Sequence, residues 1–81
     1  MALKELIKAI AMELVDHPDQ VVVTEIASEH NCLIELRVAK DDVGKVIGKS
    51  GRVVSAIRCV VSAVAAKSKE KAFVKVVTDD A

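Results

Sequence analysis

The chain has 81 residues, 52% hydrophobic and 30% charged, which fits one folded domain and excludes a disordered chain. Its twelve basic and twelve acidic residues cancel, so no global field marks a partner of one sign. No stretch stays apolar long enough to cross a bilayer and the first residues lack a secretory pattern, so the expected location is the cytoplasm.

Leu3, Leu6, Ile7, Ile10 and Leu14 recur at helical spacing, with Lys4, Glu5, Lys8 and Glu13 on other faces. That helix should end near Asp16-His17-Pro18, because a residue before proline is pushed out of the α region. Val21, Val22, Val23, Thr24 and Ile26 form a β-branched run that reads as a strand. Ser28-Glu29-His30-Asn31 supplies turn chemistry, after which Cys32, Ile34, Leu36 and Val38 alternate with Leu33, Glu35 and Arg37. The two runs are expected as an antiparallel hairpin with one buried face.

Asp41 is the expected cap of a short helix with apolar face Val43, Val46 and Ile47, weakened by Gly44. Val53, Val54, Ile57, Val60, Val61 and Val64 then mark a helix of about four turns. Its valines are poor helix formers, so tertiary packing must hold it. Lys67-Ser68-Lys69-Glu70-Lys71 is a charged connection. Residues 72–78 form a last strand, apolar at Phe73, Val74, Val76 and Val77 and on that run expected inside the sheet. Asp79-Asp80-Ala81 reads as a frayed tail. The order is α-β-β-α-α-β, with a turn between the last two helices and neither linker nor repeat.

Few residues offer reactive chemistry. Cys32 and Cys59 stand 27 positions apart without a second pair, and both are expected as buried thiols rather than metal ligands. His17 and His30 fall at turns with no spaced partner, and Asp41 and Asp42 read as helix-start residues favoured by the dipole. No acid, base and nucleophile converge, so the expectation is no enzyme, no cofactor and no metal. Phe73 is the only aromatic, which leaves an aliphatic core and disfavours an aromatic stacking platform.

Charge is unevenly spread. Residues 1–31 carry Lys4 and Lys8 against Glu5, Glu13, Asp16, Asp19, Glu25 and Glu29, a net of −4. Residues 40–58 carry Lys40, Lys45, Lys49, Arg52 and Arg58 against Asp41 and Asp42, a net of +3. The positive region surrounds Val46-Ile47-Gly48-Lys49-Ser50-Gly51-Arg52, a Gly-x-x-Gly turn ahead of a long helix. Glycines allow a sharp bend and close approach, and the following helix leaves its first N–H groups without intrahelical partners. With Lys45, Lys49 and Arg52 beside them, these groups suit a phosphate chain. The plainer reading is a structural corner. A nucleotide-binding Gly-x4-Gly-Lys-Ser loop fails on count, since Val43 stands where its first glycine should, and on context, since no strand precedes it.

The segment order and this signature between two helices resemble a KH domain of the type II, prokaryotic form, over essentially the entire chain. In length, in its opening and in Asp16-His17-Pro18, the chain resembles the small bacterial single-KH proteins of the KhpA family. That resemblance implies an α+β fold with a three-stranded mixed sheet and three helices on one face. It also implies a cytoplasmic RNA-binding protein, acting as a homodimer or with a larger KH-containing partner in post-transcriptional regulation or as an RNA chaperone. The residues it points to are Lys45, Val46, Ile47, Gly48, Lys49, Ser50, Gly51, Arg52 and Val53, with Val43 and Val54 as further candidates for an aliphatic groove. Single-stranded RNA is the expected ligand and single-stranded DNA stays open. The alternative is a KH-fold dimerisation or protein-interaction module without significant RNA binding.

Overall fold

A computed structural model describes residues 3–78; the expected tail at 79–81 lies outside them. Helix α1 spans Leu3–Leu14 and buries Ile7 and Ala11, one helical turn apart, with Leu3, Ile10 and Leu14 packed around them. It stops ahead of Pro18, which starts a short 3-10 turn, Pro18–Gln20. Strands β1 (Val22–Ala27) and β2 (Asn31–Val38) pair antiparallel, closed by the Ser28 N–H donating to the Asn31 carbonyl at 2.8 Å. Every second residue of β2 is buried: Cys32, Ile34, Leu36 and Val38. That alternation fixes which sheet face the helices cover.

The 3-10 turn Lys40–Asp42 leads into α2 (Val43–Ile47), the glycine turn Lys49–Gly51 and α3 (Arg52–Lys67). Strand β3 (Lys71–Thr78) then pairs parallel to β2, giving a mixed sheet of order β1-β2-β3. One core joins Ile7 and Ala11 of α1, Val46 of α2 and Ile57 and Val61 of α3 to Val23, Ile34, Leu36 and Val74 of the sheet. Each such aliphatic side chain, fully buried, contributes roughly 1.5–3 kcal/mol, which offsets the poor helix propensity of α3. Among the described residues no helix covers the outer sheet face, and Val22, Ile26 and Phe73 stand exposed there.

The fold follows the expected α+β architecture, with three local corrections. First, β3 is an edge strand and β2 the central one. β1 already occupies one side of β2, so β3 takes the other side and has no further neighbour. Second, Cys59 is exposed, as are Val60 and Val64; only Cys32 is a buried thiol. The buried stripe of α3 is Val54, Ile57, Val61 and Ala65, and Cys59 sits about 200° round the helix from Ile57. Third, the residue preceding α2 is Asp42 rather than Asp41, and it makes no side-chain cap. Burial, with Glu25 nearby, pushes the Cys32 thiol up, as expected for an inert core cysteine.

Helix α3 ends in a paired closure. The Lys69 N–H donates to the Ala66 carbonyl and the Glu70 N–H to the Ala65 carbonyl, both at 3.0 Å. This places Lys69 at φ 59°, a left-handed conformation usually left to glycine. Relieving that cost, Lys69→Gly should raise stability by about 1 kcal/mol, read as a higher urea midpoint at unchanged slope. An unchanged midpoint would show that the turn carries no such strain.

Candidate nucleic-acid interface

Helix α2 is only five residues long because Gly48, at φ 78° and ψ 171°, takes the chain out of helical geometry. The Gly48 N–H closes on the Gly44 carbonyl at 2.9 Å and the Gly51 N–H on the Gly48 carbonyl at 3.1 Å. Ser50 at φ 56° and Gly51 at φ 73° are also left-handed, so three of the four turn residues have positive φ.

The two glycines serve different needs. A Cβ on Gly48 would stand 2.8 Å from Val53 Cβ and 2.9 Å from the Val53 nitrogen, and would overlap Val53 Cγ2. The turn therefore lies directly on the first turn of α3. A Cβ on Gly51 would meet nothing within 4 Å. Gly51 is needed only for its backbone angle, and its outer side is open.

Gly51 is also the N-cap of α3 and has no side chain, and no side-chain cap covers the helix start. The Arg52 N–H donates to the Lys49 carbonyl within the turn, so this 16-residue helix start presents mainly its dipole, equivalent to roughly half a positive charge, past a bare residue. Lys49, Ser50 and Arg52 are exposed around this opening. Among the described residues, no carboxylate is ion-paired with Lys49 or Arg52.

The remaining expected residues divide into two groups. Ile47 and Val53 flank the turn and are half-buried, as is Val43, one helical turn before Ile47. Val46 is fully buried in the core, and Val54 is buried on the inner stripe of α3. Lys45 is drawn to the other side of α2, with Nζ 3.1 Å from Asp16 Oδ2 and 3.5 Å from Asp42 Oδ1. Its hydrogen bond and attraction to Asp16 raise its pKa above the ordinary lysine value.

Asp42 is the one charged side chain fully buried among the described residues. Its Oδ1 accepts the Asp16 N–H at 3.2 Å and its Oδ2 the His17 N–H at 3.0 Å, fastening the end of α1 to the start of α2. Burial alone would push this carboxyl up. The two amide donors, with the charges of His17 and Lys45, outweigh it and hold the carboxyl below its ordinary range. One sequence signal separates Asp42 from Asp41: Asp42 precedes buried Val46 by four positions, one helical turn.

Sequence reasoning also left Arg58 without a role. Its Nε and Nη2 donate to the Val74 carbonyl at 3.4 and 3.3 Å, bridging α3 to β3. Among the described residues, no His, Cys, Asp and Glu cluster could hold a metal, and no helix is long and apolar enough to cross a membrane.

The family profile described as KhpA/KhpB, KH domain, matches residues 4–76. The RNA-binding protein KhpA of Caldanaerobacter subterraneus subsp. tengcongensis is 51% identical over 73 residues, covering 90% of this chain and 97% of the relative. RNA-binding protein KhpA of Halalkalibacterium halodurans is 54% identical over 69 residues, 85% of this chain and 91% of its own. The Clostridium acetobutylicum protein of the same description is 45% identical over 75 residues, 93% of this chain and all of the relative. No solved structure matches the chain.

Two outcomes follow from this geometry. Gly48→Ala should cost about 3 kcal/mol, from overpacking on Val53 together with the left-handed backbone, whereas Gly51→Ala should cost only about 1 kcal/mol. Urea unfolding of both variants measures the contrast, and equal losses would count against the locked and open division. Because the Asp42 pKa is lowered on folding, its contribution is complete above the ordinary carboxylate value and is lost as pH falls through the lowered one. Asp42→Asn should reduce stability at neutral pH and flatten the decline in acid. Melting temperatures between neutral pH and about pH 3 test both parts, and an acid limb identical to the parent's would remove Asp42 from it.

Proposed function

Because the chain belongs to the KhpA/KhpB KH-domain family, we propose that it holds a short run of single-stranded RNA against Gly48-Lys49-Ser50-Gly51. The observation that carries this reading is the open outer side of Gly51 beside the uncapped start of α3. A phosphate drawn there meets the positive end of the α3 dipole, while Lys49 and Arg52 supply attraction and Ser50 a hydroxyl. Bases then lie along the aliphatic strip of Val43, Ile47 and Val53, over about four nucleotides as in other KH modules. Val46 supports that strip from the core. Lys45, paired with Asp16 and Asp42, anchors the helix that carries the turn. The names of the relatives support RNA as the ligand.

So small a site binds weakly and discriminates little between sequences, so pairing two sites raises avidity. We read the working form as a homodimer or a complex with a larger KH-containing partner. Val60 and Val64, exposed on α3, offer apolar surface for it.

The double variant Lys49→Asp, Ser50→Asp tests the clamp. Aspartate tolerates the left-handed angle at position 50 at least as well as serine, so the bend should survive. Circular dichroism and melting should match the parent, while RNA retention should fall to background through like-charge repulsion. Neutralising Lys49 alone should flatten the log-affinity against log-salt slope by roughly 0.7. A folded double variant that binds RNA like the parent would exclude the turn and favour a protein-contact role.

A further inference from the structure

A cleft of about 350 Å³ opens where the end of α3 meets the start of β3, lined by Ser62, Ala66, Glu70, Lys71, Ala72 and Phe73. Phe73, the sole aromatic, is 53% exposed at this edge strand. Lys71 and Lys75 lie two positions to either side of it, on the same uncovered sheet face, and both are exposed; because β3 is the edge, Lys71 and Phe73 also line the cleft beside it. Among the described residues no carboxylate is ion-paired with either lysine. Residues 67–75 carry Lys67, Lys69, Lys71 and Lys75 against Glu70 alone. The second positive region of the chain therefore surrounds its only aromatic ring.

We propose that this cleft is a second nucleotide subsite, where a base of the bound single strand stacks on Phe73 and the adjoining phosphates meet Lys71 and Lys75. It rests on the RNA reading above and extends it. One ring cannot build the multi-base platform that the composition disfavours, but a single aromatic between cations can stack one base. The core of a protein–protein contact is by contrast depleted in lysine. Ala66 and Ala72 leave space for a flat ring, and the Ser62 hydroxyl offers the base edge a donor and an acceptor. Glu70 in the lining repels a phosphate but accepts from an exocyclic amine, so it favours a base inside the cleft. Gly51 and Ser62 are eleven positions apart, about 16 Å along the axis of α3, so one short strand can engage both ends. Arg58 lies between them, one turn before Ser62.

The chain has no Trp or Tyr, so Phe73→Trp creates a single indole whose emission reports on stacking. Oligocytidylates of two lengths, a tetramer that fills the clamp and a decamer that reaches beyond it, are titrated against the full chain. The decamer should bind more tightly and change the indole emission, and the tetramer should leave it unchanged. Phe73→Ala should lose the gain with length, a factor of about five or more, while keeping the tetramer affinity. Phe73→Leu, which keeps apolar volume without an aromatic face, should lose the same gain and guards against a folding defect. Lys71→Gln with Lys75→Gln should flatten the decamer salt slope by roughly 1.4. If the tetramer binds but the Phe73 variants retain the full gain with length, the subsite is refuted and the clamp stands. If neither length binds the parent, both readings fall. A Phe73→Ala protein that changes sedimenting mass but not its gain with length would make the surface a protein contact and overturn the proposal.

Discussion

The buried carboxylate of Asp42 is the constraint on which the placement of the glycine turn depends. A charge removed from water must find donors or its burial is prohibitive, and the donors it finds are two backbone amides just past the end of α1. Those amides have no helical use, because α1 has stopped ahead of Pro18. One side chain thus closes the end of one helix and fixes the start of another. Lys45, one turn into α2, completes the tie through Asp16 and Asp42 and orients the helix about its axis. With five residues in α2, the direction of its far end, and so of Gly48, is set by that anchor and by Val46 in the core.

Beyond this anchor the turn combines rigidity on one side with access on the other. Val53 fills the space a side chain at Gly48 would need, so the loop is seated on α3 before any ligand arrives. Gly51 faces open space, so the same loop presents backbone outward. On the RNA reading proposed above, a loop built in this way would undergo little reorganisation on binding. Ser50 keeps a left-handed backbone although it is not glycine, a local cost that fits a turn shaped for contact.

Much of this was legible in the sequence because periodicity reports burial. The alternation from Cys32 to Val38 fixed the inner face of β2, and the spacing of Ile57 and Val61 fixed that of α3. What periodicity does not report is how many neighbours an element has. The run from Phe73 to Val77 is as apolar as an internal strand, yet β3 has one neighbour and an uncovered outer face. The valine-rich α3 misled in a similar way, since Val60 and Val64 continue the apolar pattern past the width the sheet covers. Asp41 and Asp42 are chemically the same, and only the phase set by Val46 distinguishes the buried one. Arg58 looked like one more surface cation because its partner is a backbone carbonyl, which no side-chain pattern encodes.

That bond from Arg58 also works against pairing of the sheet with a second copy of itself. β3 is a parallel edge with an apolar sequence, the kind of strand that invites another to pair alongside. An incoming strand needs the edge carbonyls as acceptors, and the guanidinium already occupies that of Val74, midway along β3. Lys71 and Lys75 would place like charges side by side in an in-register stack of copies. A strand too apolar to be protected by its composition is thus guarded by one arginine from the helix beside it and two lysines of its own.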